Sequence, residues 1–307
     1  MDIIILLFGF TIGLVLLVKG ADEMVHSAVQ IALKFKLPSS IVGATFIGFG
    51  TSAPELFAST SAALKGDLDL GIGNIVGSNI ANSLLVVAVL YISLPKDFSK
   101  KINLNQISPT WMAIFTTVFV STYVLTNKFP FLLGLALLVL VVYVIYKMIS
   151  AESVDEDELI EEGNSYVWLR GGISLVATLY GSQLVVNNAV EIASIFGVSS
   201  LVVGSTIIAI GTSLPEVAGT ISAAKMRKPD IVFGNIFGSN LFNIGLVGGA
   251  AIMISPGEIS SVIDYQLFIM YFVSFIVIFL SRNIIRRNAV LGYIFIAAYV
   301  LFLVSLF

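Results

Sequence analysis

Gly50-Thr51-Ser52-Ala53-Pro54-Glu55 occurs again 161 residues later as Gly211-Thr212-Ser213-Leu214-Pro215-Glu216. Each copy is followed at one fixed distance by a second block. The first is Gly73-Asn74-Ile75-Val76-Gly77-Ser78-Asn79-Ile80-Ala81-Asn82, and the second is Gly234-Asn235-Ile236-Phe237-Gly238-Ser239-Asn240-Leu241-Phe242-Asn243. Laid over each other without gaps, 43–82 and 204–243 agree at 19 of 40 positions, where unrelated segments would share about three. The chain reads as two homologous halves, 1–149 and 166–307, joined by a linker at 150–165.

The material around the repeats is apolar. Of 307 residues, 57 % are hydrophobic and 11 % charged, and the mean hydropathy is +1.01. Soluble domains carry about 25 % charged residues, so this composition excludes a soluble enzyme, a nucleic-acid binder and a disordered chain. It points to an all-α polytopic membrane protein. The net charge of −3 says nothing about partners. Cysteine is absent and His26 is the lone histidine, which removes disulfides, thiolate metal sites and most Ser-His chemistry. The apolar run from Ile3 past Val18 lacks a basic leader region and reads as a first span.

A spanning helix needs roughly 20 apolar residues. That ruler predicts ten, near 2–33, 40–64, 69–93, 106–125, 129–149, 166–196, 200–224, 230–254, 264–281 and 288–306. Each half then holds five. Five is odd, so the second half enters the membrane inverted, and inverted repeats place a substrate site near the midplane where the halves meet. With ten spans, thirteen basic residues flank the loops after the odd spans and two, Lys65 and Lys128, flank the others. The basic side is the cytoplasm, so both termini are expected outside, in the plasma membrane.

Glu55 and Glu216 fall within these apolar segments, where an ionised carboxylate costs on the order of 3 kcal/mol. One such glutamate could be protonated or ion-paired for structural reasons. Two in the same context, in inverted halves and without an obvious basic partner, are expected to work. Pro54 and Pro215 each remove a backbone donor and crowd the carbonyl one turn back, so spans 2 and 7 are expected to be broken. Freed carbonyls near Gly48–Thr51 and Ala209–Thr212 cannot stay unpaired in hydrocarbon, and a cation would satisfy them. Oxygen-only ligands suit hard cations such as Ca²⁺ and Na⁺. Ser78, Ser239, Asn79, Asn240, Asn82 and Asn243 are expected to face the same level. Asn74 and Asn235 are read as interhelical hydrogen-bonders.

The two blocks together resemble the α-repeats of the calcium/cation antiporter superfamily, most closely its sodium/calcium exchanger branch in the prokaryotic form without a regulatory domain. The resemblance covers essentially the whole chain. It implies that Glu55 and Glu216 are shared metal ligands, with Thr51, Ser52, Thr212 and Ser213 completing the sites. It implies further sodium ligands at Ser78, Ser239, Asn82 and Asn243, and backbone carbonyls at Gly48 and Ala209. Gly48 departs from the family's alanine, which a carbonyl ligand does not need. Asn243 stands where potassium-dependent members carry Asp, which argues against a potassium requirement. The implied cycle exchanges three Na⁺ for one Ca²⁺ by alternating access, with long helices 1 and 6 sliding. No cofactor is expected beyond the transported ions, and no obligatory partner beyond the bilayer.

Proton- or potassium-coupled exchange through the same site is the nearest rival; a passive channel and an intramembrane hydrolase are weaker. The acidic run Glu152–Glu162 lacks the spacing of a calcium-binding loop and reads as a solvated linker.

Overall fold

The computed structural model describes residues 3–101, 107–150, 166–197, 211–282 and 284–306. The acidic run and Ala209 lie outside them. Among the described residues the chain is helical. Helix α1 spans Ile3–Lys34, α2 Ser39–Thr51, α3 Ala53–Leu64, α4 Leu68–Ser93, α5 Ile107–Thr126 and α6 Phe131–Ile149. In the second half α7 spans Val167–Ile195, α8 Leu214–Lys225, α9 Pro229–Ile254, α10 Asp264–Ser281 and α11 Ala289–Val304.

Seven of these (α1, α4, α5, α6, α7, α9 and α10) are long and apolar enough to cross a bilayer. Helices α2 and α3 meet at a 45° bend and together make an eighth candidate. Helix α11 has 16 residues, and of the span read at 200–224 the described part is mainly the 12-residue α8.

Local chemistry sets the ends. Lys34 sits in the last turn of α1, where a cation meets the negative end of the helix. Asp67 caps α4 by accepting from the Leu70 amide at 3.0 Å, and Asn288 caps α11 through Leu291 at 3.1 Å. Pro54, Pro215 and Pro229 each fall in a first turn, where the missing N–H is not needed.

The layering follows from burial. Over their most apolar 18 residues, α4 and α9 are 78 % and 83 % buried, against 22 % for α1, so the helices carrying the Gly-Asn blocks form the centre. Leu7, Phe8, Val142, Phe272, Phe279 and Leu301 are exposed, as lipid-facing residues of spanning helices are. Helix α1 packs lengthwise on α7 through small residues. A Cβ on Gly181 would lie 2.4 Å from the Leu17 amide nitrogen, and one on Gly20 would lie 2.7 Å from Thr178 Oγ1.

Two short antiparallel ladders tie the halves together. Strand β1 (Ser99–Lys101) pairs with β4 (Ile284–Arg286), and β2 (Lys128–Phe129) pairs with β3 (Gly257–Glu258). Arg227 bridges to Asp97 at 2.7 Å, and Asp69 accepts from the Ser260 amide at 2.8 Å. Each of these four links joins loops or helix ends that the ten-span reading puts on one face of the membrane.

Candidate functional site

The site begins with the break. Gly50 loses its helical donor to Pro54, and the chain turns at Ser52 (φ −82°, ψ −1°). Helix α2 therefore ends, and α3 begins, among buried residues. Glu55 sits in the first turn of α3 and Glu216 in the first turn of α8. A helix N-terminus favours a carboxylate, while the carbonyls at the C-terminus of α2 favour a cation.

Both glutamates are buried, each 3 % exposed. They lie close enough for the charge of Glu55 to act on Glu216. Ser78 donates to Glu55 Oε1 at 3.3 Å. The remaining oxygen of each, Oε2, is buried without a hydrogen-bond partner. Neither carboxylate is ion-paired: the pairs among the described residues are Arg170–Glu23 and Arg227–Asp97. No cluster of three or more His, Cys, Asp or Glu is found among the described residues, so the acidic part of the site is these two groups.

Neutral oxygens surround them. Ser52-Ala53-Pro54-Glu55 has the Ser-x-x-Glu spacing of a capping box, yet the Ser52 hydroxyl caps nothing and is buried without a partner. Thr51 Oγ1 and Ser239 Oγ lie 3.3 Å apart. Both hydroxyls reach the Gly48 carbonyl, at 3.5 and 3.3 Å, and both reach Asn235 Oδ1, at 3.5 and 3.2 Å. Thr212, Ser213 and Ser78 line a cavity of about 180 Å³ with Gly73, Asn74, Gly77 and Ala81. Gln266 and the Tyr299–Leu306 end of the chain complete its wall. Of the twelve residues named from the sequence, eleven are described, and Ala209 is not.

Asn82 and Asn243 sit one layer along. Asn82 Nδ2 donates to Asn240 Oδ1 and Asn243 Nδ2 donates to Asn79 Oδ1, each at 3.1 Å. Asn240 Nδ2 continues to Ser83 Oγ at 3.2 Å. Asn79 and Asn240 also point their amides at Met270 and Met112, each in the opposite half. Their amides are thus spent between helices, while Asn243 Oδ1 is buried without a partner. Asn74 and Asn235 make the interhelical bonds expected of them, to Ser59 and Thr51 respectively.

Sequence reading missed three contributors. Ser182 on α7 donates to the Gly211 carbonyl at 3.0 Å, the group whose helical donor Pro215 removes. A lone serine in an apolar helix carries no signal for this. Met112 and Met270 likewise looked like ordinary core.

Chemically, the arrangement is two buried carboxylates, several hydroxyls and a helix C-terminus beside a small cavity. It offers oxygen and little else, which fits a hard cation.

A family model described as sodium/calcium exchanger protein matches residues 5–151 and 166–307. The chain is 30 % identical over 347 aligned positions to the sodium/calcium exchanger MaX1 of Methanosarcina acetivorans, covering 96 % of this chain and 97 % of that one. It is 32 % identical over 291 positions to the inner membrane protein YrbG of Escherichia coli, covering 89 % and 88 %. Its structure superimposes on the solved sodium-calcium exchanger NCX_Mj with a TM-score of 0.86 at 27 % identity, over 99 % of each chain. The carboxylate pair, the duplicated motifs and these matches have one explanation: the chain belongs to the sodium/calcium exchanger family, as an antiporter of the prokaryotic type.

Proposed function

We propose that this protein exchanges Na⁺ for Ca²⁺ across the plasma membrane by alternating access. The observation that carries the reading is the buried pair Glu55 and Glu216, each with an unpartnered oxygen and neither neutralised by a basic side chain. A bare pair of carboxylates is costly in a membrane interior. A divalent cation between them would remove that cost.

The ligands in this reading are the two carboxylates, the hydroxyls of Thr51, Ser52, Thr212, Ser213, Ser78 and Ser239, the side chains of Asn82 and Asn243, and the carbonyls of Gly48 and Ala209. One Ca²⁺ cancels the charge of −2. Three Na⁺ leave +1, so a cycle of three against one moves one net charge, worth about 2.3 kcal/mol at 100 mV. The empty site is too highly charged to cross, and this couples the two fluxes. Ten spans in two inverted halves, with both termini outside, complete the reading; the cross-half links between loops support that topology. On that topology the cavity beside Ser78 and Thr212 is the outer access path.

The test is calcium uptake into proteoliposomes under an imposed sodium gradient, with potassium and pH varied independently and a potassium–valinomycin clamp on the voltage. Sodium-driven uptake that follows the imposed voltage is expected. Uptake driven equally well by a proton gradient at constant sodium would replace Na⁺ with H⁺ as the coupling ion. Uptake without any counter-ion would remove the antiport reading.

A further inference from the structure

Asn74 and Asn235 occupy the same place in the two repeats, yet their side chains bond differently. Asn74 donates Nδ2 to Ser59 Oγ at 2.9 Å. The repeat counterpart of Ser59 is Thr220, and its buried hydroxyl has no hydrogen-bond partner, so Asn235 does not copy that bond. Asn235 instead presents Oδ1 to Ser239 at 3.2 Å and to Thr51 at 3.5 Å, and is itself 3 % exposed.

We infer that Asn235 is a positioning residue that sets the sodium affinity of the Gly48–Thr51–Ser239 side of the site. The inference rests on the exchange reading above. A hydroxyl has one proton and two lone pairs. To ligate a cation it must aim a lone pair inward and place its proton elsewhere. Thr51 and Ser239 lie 3.3 Å apart and share two acceptors, the Gly48 carbonyl and Asn235 Oδ1. When the carbonyl turns to a cation, Asn235 remains to take the protons. Such outer-shell acceptors fix ligand orientation and raise ligand basicity. At the repeat-related place, Asn74 Nδ2 is bonded to Ser59 instead. Calcium, held chiefly by the double negative charge, depends less on these neutral oxygens than singly charged sodium does.

The experiment measures half-saturating Na⁺ and half-saturating Ca²⁺ for exchange in proteoliposomes of the wild type, Asn235→Leu, Asn235→Asp and Asn74→Leu. Leucine keeps the volume and removes the acceptor; aspartate keeps the acceptor. For Asn235→Leu, half-saturating Na⁺ is expected to rise on the order of tenfold, the lower end of what losing an outer-shell partner costs, with Ca²⁺ within twofold of wild type. Asn235→Asp is expected to stay within threefold for Na⁺; Asn74→Leu, whose side chain lines the outer cavity, is expected to move both ions by one common factor rather than sodium alone. A sodium-selective shift in Asn74→Leu as large as that in Asn235→Leu, or no shift in the latter, would overturn the inference. If Asn235→Leu does not fold, Asn235→Asp and Asn74→Leu still decide: loss of sodium affinity in the first, or a loss confined to sodium in the second, contradicts it. A wild type without sodium-driven calcium uptake would defeat the exchange reading itself, which is a separate outcome.

Discussion

Asn82 donates to Asn240 at 3.1 Å, and the same bond appears with the halves exchanged, from Asn243 to Asn79 at 3.1 Å. The partners are related by the 161-residue repeat offset, so the two bonds are copies of one interaction with the halves exchanged. Each crosses between the halves, and all four residues are at most 2 % exposed. Paired asparagines inside a membrane bundle typically contribute about 0.6 kcal/mol, up to about 1.7. A double-mutant cycle on Asn82 and Asn240, each to Ala, read by thermal unfolding in detergent, is expected to give a coupling in that range. Asn240→Ala alone should cost more, about 1–3 kcal/mol, because it strands the Asn82 amide and Ser83 Oγ together. Additivity of the two single changes would contradict the geometry.

Charge rather than shape is the expected requirement at the carboxylates. Glu55→Gln and Glu216→Gln keep the volume, so each variant should retain a monodisperse, folded profile. Exchange should fall to background in both. Wild-type rates of sodium-driven calcium uptake in either folded variant would refute the role assigned to that carboxylate.

Helix α9 is locked to α2 by glycine. A Cβ on Gly238 would stand 2.3 Å from the Ala44 carbonyl oxygen and 2.5 Å from its Cα, both backbone atoms without room to yield. Gly238→Ala is expected to lower stability by about 1–3 kcal/mol or prevent expression. Gly219→Ala is the contrast, since its Cβ would meet the flexible Met24 Cε at 3.4 Å. Thermal midpoints of the two variants should differ clearly, with Gly219→Ala near wild type.

Ser182 supplies the hydrogen bond that Pro215 denies to Gly211, and the repeat counterpart of Ser182 is Ala21. The chain just before α8 is therefore tethered to α7 by a hydroxyl where the first half has a methyl. Ser182→Ala is expected to cost about 1 kcal/mol and to change the exchange rate more than the half-saturating ion concentrations. Unaltered kinetics at unaltered stability would show that the bond has no role.

Asp97 is exposed, and the guanidinium of Arg227 at 2.7 Å holds its carboxyl below the ordinary aspartate value of 3.8. A carboxyl depressed in the folded state stabilises it above the unfolded value and loses that contribution as pH falls through the folded one. The contribution is therefore present at neutral pH and small there because it is exposed and screened by salt; its pH dependence is confined to below about 4. Asp97→Asn is expected to leave exchange at neutral pH unchanged and to flatten the acid limb of a stability–pH curve taken at low ionic strength. A neutral-pH loss of stability comparable with that of Gly238→Ala would contradict this.

Much of the plan was legible because its signals are covalent or compositional. Pro54 must break a helix wherever it sits, and the bend between α2 and α3 lies at the residue before Ala53-Pro54. Glu55 and Glu216 announce themselves by their cost in hydrocarbon. What was hidden depends on which faces meet. Asn79 and Asn240 are visibly polar, but nothing in their spacing says that they bond across the halves. Ser182 needs the position of α7 before it means anything. The different commitments of Asn74 and Asn235 could not be read at all, because their surrounding repeat sequence is the same.

The widened helical turns at Asn82–Val86 and Asn243–Gly248 are related by the same repeat offset, and a third lies at Gly43–Gly48, just before the break. All three are π-helical, and such turns gather at functional sites. An ordinary turn takes 3.6 residues. Passing one residue through a wide turn therefore swivels everything beyond it by about 100° with each amide still bonded. The interior helices thus carry built-in screw joints, at the residues where a rigid rod would otherwise have to snap.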